Sequence, residues 1–159
     1  MAILDINRIL VPIDFSAPSR QALATGQELA QKFGAELHVL HVLEKPSYPG
    51  FYGAGAVTMY GKLPDLKQRA EEALRDLLSE AEVEVSGVVI EGRAQNDILE
   101  YAHDHAIDLI VIASKGLSGV KRVLLGSVAS QIVRKAPCPV FVVRGEEAME
   151  ETSSEEANG

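Results

Sequence analysis

The chain has 159 residues, of which 47% are hydrophobic and 24% charged, a composition typical of one globular domain. Its single cysteine excludes an intramolecular disulfide, and it lacks the run of roughly 18 apolar residues that a membrane helix needs. We therefore expect a soluble, cytoplasmic protein with no membrane partner.

The charge is distributed unevenly along the chain. The net charge is −8, but six of the 23 acidic residues are glutamates within residues 145–159, which contain no Lys or Arg. The other 17 acidic residues are nearly balanced by 15 basic ones, which argues against a nucleic-acid partner. We predict one domain over residues 1–144 and an acidic, disordered tail over 145–159, either solvated or bound to a partner.

Apolar runs alternate with helical periodicity from the start of the chain. Residues 8–13 (RILVPI) predict a buried strand, and a helix is predicted between Ser16, a candidate N-cap, and Gly34, a stop signal. Residues 37–43 (LHVLHVL) predict the second strand. A long connection over residues 44–64 then leads to a helix over 65–82.

The second half repeats this alternation. Strands are predicted over residues 83–90, 109–113 and 139–143, with a helix over 96–105 and a last helix around Val128 that ends near Pro137. Nearly continuous apolar strands between helices predict a parallel sheet covered on both faces. Right-handed crossovers make this a doubly wound α/β sandwich.

Open α/β sheets bind ligands beyond the carboxyl ends of their strands. Asp14 follows the first strand, where neither a glycine-rich dinucleotide turn nor a P-loop is found. Its carboxylate could accept hydrogen bonds from a ribose or an amine, or it could form a turn before the next helix. The local sequence favours neither interpretation.

The connection after the fourth strand, residues 114–127 (SKGLSGVKRVLLGS), is rich in glycine, serine and basic residues. Gly126 and Ser127 stand at the start of the last helix, whose N-terminal dipole and N–H groups predict an anion site. Glycine lets a backbone approach a phosphate without an intervening Cβ. The alternative is a flexible loop followed by a helix that Ser127 caps.

These segments together resemble the universal stress protein family. The resemblance rests on ASKG at 113–116, GS at 126–127 after nine residues, and APCPV at 136–140; nucleotide-binding members carry G-x2-G-x9-G-[ST]. The first strand with Asp14 and Ser16 also resembles the family's adenine-binding turn. The resemblance covers about residues 3–144.

The family resemblance implies a five-stranded parallel, Rossmann-like sheet of order 3-2-1-4-5, with Asp14 and the glycine loop at one crevice. It implies ATP or a related adenine nucleotide as ligand, with any Mg²⁺ or Mn²⁺ held by phosphates and water, and a homodimer formed through residues 139–143. Asp14 would bind the ribose. The other implied nucleotide-binding residues are Pro12, Ile13 and Val42 around adenine, and Gly116, Gly126, Ser127 and Val128 around the phosphates, with Ala113 at the first motif position.

Two positions depart from the family pattern. Ala113 stands where the motif has its first glycine, and its methyl would crowd the nucleotide if the backbone there needed a positive φ. Leu117 stands where many members carry a basic residue. Because some members bind no nucleotide, a nucleotide-independent dimeric interaction module is one alternative function.

No other group of residues predicts catalysis or a side-chain metal site. His38 and His41 are three apart in a strand and should point to opposite faces, and His103 and His105 should diverge on their helix. Cys138 is interpreted as a buried, inert thiol. Residues 44–64 hold four of the eight aromatic residues, which predicts a lid, a subunit contact or a cover for the adjacent helix.

The sequence favours a nucleotide-dependent stress or signalling protein. No catalytic residue is assigned, because no general base or arginine finger accompanies the predicted phosphate site. The enzymatic alternative is a slow ATPase, or a phosphoryl or adenylyl transferase, that uses Asp14, Lys115 or Ser127.

Overall fold

The computed structural model describes residues 4–44, 54–115 and 125–145, and of residues 54–61 the backbone alone. Strands and helices alternate along these ranges, as the hydrophobic patterns predict. The elements are β1 Arg8–Pro12, α1 Ala17–Phe33, β2 Glu36–Glu44, α2 Ala54–Leu78, β3 Val85–Gly92, α3 Ala94–Asp104, β4 Leu109–Ala113, α4 Ser127–Lys135 and β5 Val140–Val143. The predicted acidic tail lies almost entirely outside the described residues.

The five strands form one parallel sheet in the order β3-β2-β1-β4-β5, which confirms the predicted fold class and strand order. Ile9 of β1 pairs with Leu37 of β2 on one side and with Leu109 of β4 on the other. The order of the strands reverses between β1 and β4. In a doubly wound sheet this is the place where the two flanking loops separate and leave a crevice.

Two hydrophobic cores cover the two faces of the sheet. Val11 and Val39 pack on the face that α1 and α2 cover, whereas Leu10 and Leu40 pack on the face that α3 and α4 cover. Successive residues of a strand point to opposite faces, and a strand buried on both faces is therefore apolar throughout. The same alternation separates His38, which contacts Tyr101 of α3, from His41, which contacts Phe15.

Both predicted ends of α1 are confirmed. The hydroxyl oxygen of Ser16 accepts the N–H of Ser19 at 3.3 Å, which caps the first turn. Gly34 takes the left-handed conformation, φ 65°, that a helix C-cap requires and that glycine adopts without steric cost.

The predicted start of α2 is wrong. The helix begins at Ala54 and continues through Pro64, eleven residues before the predicted start at Asp65. Proline predicts a helix boundary because it lacks the N–H of one helical hydrogen bond and its ring crowds the preceding turn. In this 25-residue helix the rest of the ladder tolerates that loss. The lid and subunit-contact hypotheses for the aromatic side chains of the connection concern atoms outside the described part of the chain.

Candidate functional site

A cavity of about 390 Å³ lies at the carboxyl ends of β1, β2 and β4, next to the point where the strand order reverses. The first turns of α3 and α4 complete its walls. Eight of the nine residues that the sequence singles out line this one cavity: Pro12, Ile13, Asp14, Val42, Ala113, Gly126, Ser127 and Val128. The ninth, Gly116, lies outside the described residues.

Asp14 both builds the turn after β1 and lines the cavity. Its Oδ1 accepts the backbone N–H of Ser16 at 3.0 Å and also the Ser16 hydroxyl, and its own N–H donates to the Ser19 hydroxyl at 3.4 Å. The two interpretations that the sequence leaves open are therefore compatible. The network that caps α1 fixes the position of the Asp14 carboxyl at the edge of the cavity.

The turn after β1 contains a backbone conformation that sequence analysis missed. Phe15 has a φ of 63°, in the left-handed region that residues other than glycine seldom occupy. The Arg20 guanidinium donates to the Phe15 carbonyl at 3.3 Å. His41 Nδ1 lies 2.9 Å from the Ile13 carbonyl oxygen, and the rings of Phe15 and His41 have centroids 4.7 Å apart. No local pattern marks such a turn, because a positive φ is expected at Gly or Asn rather than at an aromatic residue.

The tip of β2 presents backbone groups to the cavity. Along β2 the N–H of Leu37 donates toward β3, to Glu84, whereas the carbonyl of Leu40 accepts from Ile13 on the β1 side. In a parallel ladder the N–H and C=O of one residue point to the same neighbouring strand, and alternate residues serve alternate neighbours. Val42 therefore directs both groups toward the β1 side, where β1 has already ended at Pro12.

The N-terminus of α4 faces the cavity without an acidic side chain. Gly126 is the N-cap, so the helix begins at Ser127 and the interpretation of Ser127 as the cap is wrong. The Gly126 N–H donates to the Ser114 carbonyl at 2.6 Å, within the protein. The N–H groups of Ser127 and Val128 belong to the first turn of α4, where N–H groups have no hydrogen-bond partner inside an α-helix.

The N-terminus of α3, which also lines the cavity, is occupied by the chain's own carboxylates. The N–H of Ala94 donates to Glu44 Oε1 at 3.2 Å, and the N–H of Arg93 donates to Asp97 Oδ2. Glu44 and Ala94 both line the cavity. No sequence pattern marks Glu44, since nothing in its local sequence places it against a helix that starts 50 residues later.

Ala113, the departure from the glycine motif, lies in regular strand structure. It is the last residue of β4, it pairs with Val143, and its side chain is buried. Within the described residues, the only positive φ values outside glycine are those of Phe15 and Ala106. The condition under which an alanine methyl would crowd the ligand, a positive φ at this position, is therefore not met.

The remaining candidates stay apart from the cavity or from one another. Among the residues that the structure describes, no group of three or more His, Cys, Asp or Glu side chains could hold a metal ion. His38 lies buried against Tyr101, while His103 is exposed beside Asp104.

Cys138 is partly exposed rather than buried, and desolvation raises the pKa of its thiol, which keeps it protonated. In the described ranges, no helix has both the length and the apolarity needed to cross a membrane.

Fold and cavity together define a doubly wound α/β protein with a crevice at the switch point of its sheet. The model of the universal stress protein family matches residues 5–144. The chain therefore belongs to the universal stress protein family, as the motif resemblance predicts.

Named relatives agree with this assignment. Universal stress protein MJ0531 of Methanocaldococcus jannaschii is 34% identical, with 87% of this chain and 82% of that protein aligned. The solved structure of universal stress protein UspA from Lactobacillus plantarum is 28% identical, has a TM-score of 0.73, and aligns over 87% of this chain and 97% of its own.

Two more distant solved structures share the fold and contain adenine nucleotides. One is a universal stress protein in complex with cAMP, 23% identical with a TM-score of 0.57, aligned over 88% of this chain and 98% of its own. The other is the universal stress protein from Archaeoglobus fulgidus in complex with dAMP, 20% identical with a TM-score of 0.58, aligned over 87% of this chain and 98% of its own.

Proposed function

We propose that this protein binds an adenine nucleotide, ATP, in the crevice and acts as a nucleotide-dependent stress protein. The observation that carries the proposal is the convergence of eight predicted residues on one cavity at the switch point. Strand order gives the ligand a direction, because β1 lies between β4 and β2. Phosphates would lie at β4 and α4, the ribose at the tip of β1, and the base at the tip of β2.

The phosphates belong at α4 rather than at α3. The helix dipole and the N–H groups of Ser127 and Val128 favour an anion, and Lys115 lines the same wall. The N-terminus of α3 has the same dipole, but Glu44 and Asp97 already place carboxylates there. A second anion at α3 would be repelled by both of them.

The middle and far parts of the crevice suit adenosine. The Asp14 carboxyl lies at the tip of β1, where it can accept hydrogen bonds from ribose hydroxyls. Val42 directs one N–H donor and one C=O acceptor toward the β1 side. Adenine offers the matching pair at one edge, with N1 as acceptor and the 6-amino group as donor, whereas guanine presents the reverse polarity there.

The distant relatives with bound cAMP and dAMP support an adenine nucleotide as the ligand class. Any Mg²⁺ or Mn²⁺ would be held by phosphate oxygens and water. We expect ATP turnover to be slow or absent, because no general base is assigned near the phosphate end.

Two measurements test the nucleotide proposal. Mass spectrometry of the small molecules released when the purified protein is denatured should detect an adenine nucleotide. Calorimetry on nucleotide-free protein should then show ATP binding and much weaker GTP binding. Equal affinity for ATP and GTP would overturn the base assignment, and no nucleotide binding at all would overturn the proposed function.

We also propose a homodimer formed through residues 139–143. Among the strands that the structure describes, β5 is an edge strand paired on one side only, and its Phe141 side chain is 46% exposed. An apolar edge strand tends to pair with another strand. Light scattering should give twice the monomer mass, and Phe141→Glu should give monomers. A monomeric unaltered protein at micromolar concentration would contradict this.

A further inference from the structure

His41 has a role in the crevice that neither the motif nor the proposed ligand contacts assign. It lies at the tip of β2, lines the cavity, and places Nδ1 2.9 Å from the Ile13 carbonyl oxygen. A carbonyl oxygen only accepts, so Nδ1 carries the hydrogen and donates it. The Phe15 ring packs against the imidazole at a tilt of 52°, with centroids 4.7 Å apart, and supports this orientation.

The hydrogen bond from His41 to the Ile13 carbonyl stands in place of the next backbone hydrogen bond between β1 and β2. The Ile13 N–H donates to Leu40 O at 2.9 Å, which is the last β1–β2 backbone bond in the described residues. In a continuing parallel ladder, the carbonyl of Ile13 would accept the N–H of Val42. That backbone bond is absent between these two described residues, and the Ile13 carbonyl accepts from His41 instead.

We propose that His41 is a positioning residue for the base: by occupying the Ile13 carbonyl, it keeps the Val42 N–H available to N1 of adenine. Ile13 is 5% exposed, so its carbonyl needs a donor within the protein. Without His41, the nearest backbone donor on the facing strand is the Val42 N–H. The ladder would then extend by one bond and the base would lose its donor. The left-handed Phe15 follows in the same turn, and its ring packs against the His41 ring.

This inference rests on the proposed function, and its test separates the two. The probes are ATP and 1-deaza-ATP, in which a C–H replaces N1 and removes the acceptor. The unaltered protein should bind ATP about fivefold more tightly than 1-deaza-ATP, which is the contribution of one hydrogen bond. In His41→Leu the ATP affinity should fall by a similar factor, and the ratio between the two nucleotides should approach one.

Conservative and control variants complete the test. His41→Asn places an amide N–H at the same number of bonds from Cβ as Nδ1 and should keep the ratio, whereas His41→Gln moves it one bond farther and should lose it. His103→Leu makes the same change on an exposed part of α3 and should alter nothing. If His41→Leu fails to fold, the Asn and Gln variants carry the comparison.

The outcomes are distinct. A ratio that stays near fivefold in His41→Leu and His41→Gln overturns the role of His41, however much the absolute affinity changes. A destabilised fold alone would weaken both nucleotides equally and leave the ratio unchanged. Binding of neither nucleotide by the unaltered protein overturns the proposed function and this inference with it.

Discussion

The N-termini of α3 and α4 both line the crevice and differ in the groups that occupy them. Each has first-turn N–H groups that find no partner inside the helix, and each has the positive end of a helix dipole. At α3 the chain supplies the acceptors itself, through Asp97 in the first turn and Glu44 from the tip of β2. At α4 the cap is a glycine, and the first turn has no acidic residue. A helix end whose N–H groups donate to the chain's own carboxylates stabilises the fold, whereas one whose cap has no side chain is available to an anionic ligand.

The largest expected effect comes from making α4 resemble α3. Gly126 has φ −65° and ψ 167°, the extended conformation of an N-cap, so Gly126→Asp needs no backbone change. Its carboxylate would accept hydrogen bonds from the N–H groups that we assign to the phosphates. Its negative charge would also repel the phosphates. ATP affinity should fall about a hundredfold, the loss of one or two charged hydrogen bonds. The free energy of unfolding should rise by about 0.5 kcal/mol.

Calorimetry and urea unfolding measure both changes in Gly126→Asp. Gly126→Asn is the matched control, because it can cap the helix without adding charge and should weaken ATP less. If the Asp variant binds ATP as tightly as the unaltered protein, the phosphates do not lie at α4.

The converse change removes one of the two carboxylates at the N-terminus of α3. In Asp97→Ala, the Arg93 N–H loses its acceptor, and the free energy of unfolding should fall by about 1 kcal/mol. ATP affinity should not change, because α3 has no phosphate role in the proposal. Asp104→Ala, at the opposite end of α3, serves as the control and should leave stability within about 0.5 kcal/mol. A large loss of ATP binding in Asp97→Ala would contradict the assignment of the phosphates to α4 alone.

A buried histidine of β2, His38, contacts Tyr101 in the last turns of α3 and gives a pH dependence. Burial lowers the pKa of His38 from 6.5, and the nearby Glu36 carboxylate only partly opposes this. His38 Nδ1 lies 2.9 Å from the Tyr101 hydroxyl, and Nε2 lies 3.2 Å from Glu36 Oε1 without hydrogen-bond geometry. The other groups that act on its charge are His105 and Arg8, which both disfavour the protonated form.

The sign of this dependence follows from the lowered pKa. The unfolded chain binds the proton of His38 more tightly than the folded chain does, so protonation favours unfolding. The free energy of unfolding should be highest above pH 6.5, the ordinary histidine pKa, and should fall as the pH drops toward the folded-state pKa. Urea unfolding between about pH 7.5 and 5.5 should show a shallower slope in His38→Gln than in His103→Gln. Identical slopes in the two variants would show that His38 does not contribute.

For Ala113 we expect only a small change in ATP affinity. Its backbone is an ordinary strand, so the wider range of φ that glycine allows is not needed at this position. Ala113→Gly should therefore change ATP affinity by only a few tenths of a kcal/mol. The loss of a buried methyl in β4 should lower the free energy of unfolding by about 1 kcal/mol. Calorimetry measures the change in ATP affinity, and urea unfolding measures the change in the free energy of unfolding. Strong ATP binding that appears only in Ala113→Gly would mean that the natural chain does not bind the nucleotide.

The elements that sequence analysis predicted most accurately are those that local chemistry determines. The strand at Leu109–Ala113 has its predicted bounds, because five apolar residues in a row suit a strand buried on both faces. Ser16 and Gly34 bound α1 through interactions within one turn. The start of α2 was wrong because the rule that proline ends a helix is a tendency that a long helix can override.

For the candidate site, the sequence determined which residue types stand at each strand tip: Asp14 after β1, Val42 near the end of β2, and Gly126 before α4. The tertiary structure decided how those tips meet and which groups are already occupied. The Ile13 carbonyl accepts a hydrogen bond from His41, 28 residues away. At the start of α3, the Ala94 N–H donates to Glu44, which is 50 residues away. Hydrogen bonds between residues this far apart depend on strand order and register, which leave no periodic pattern in the chain.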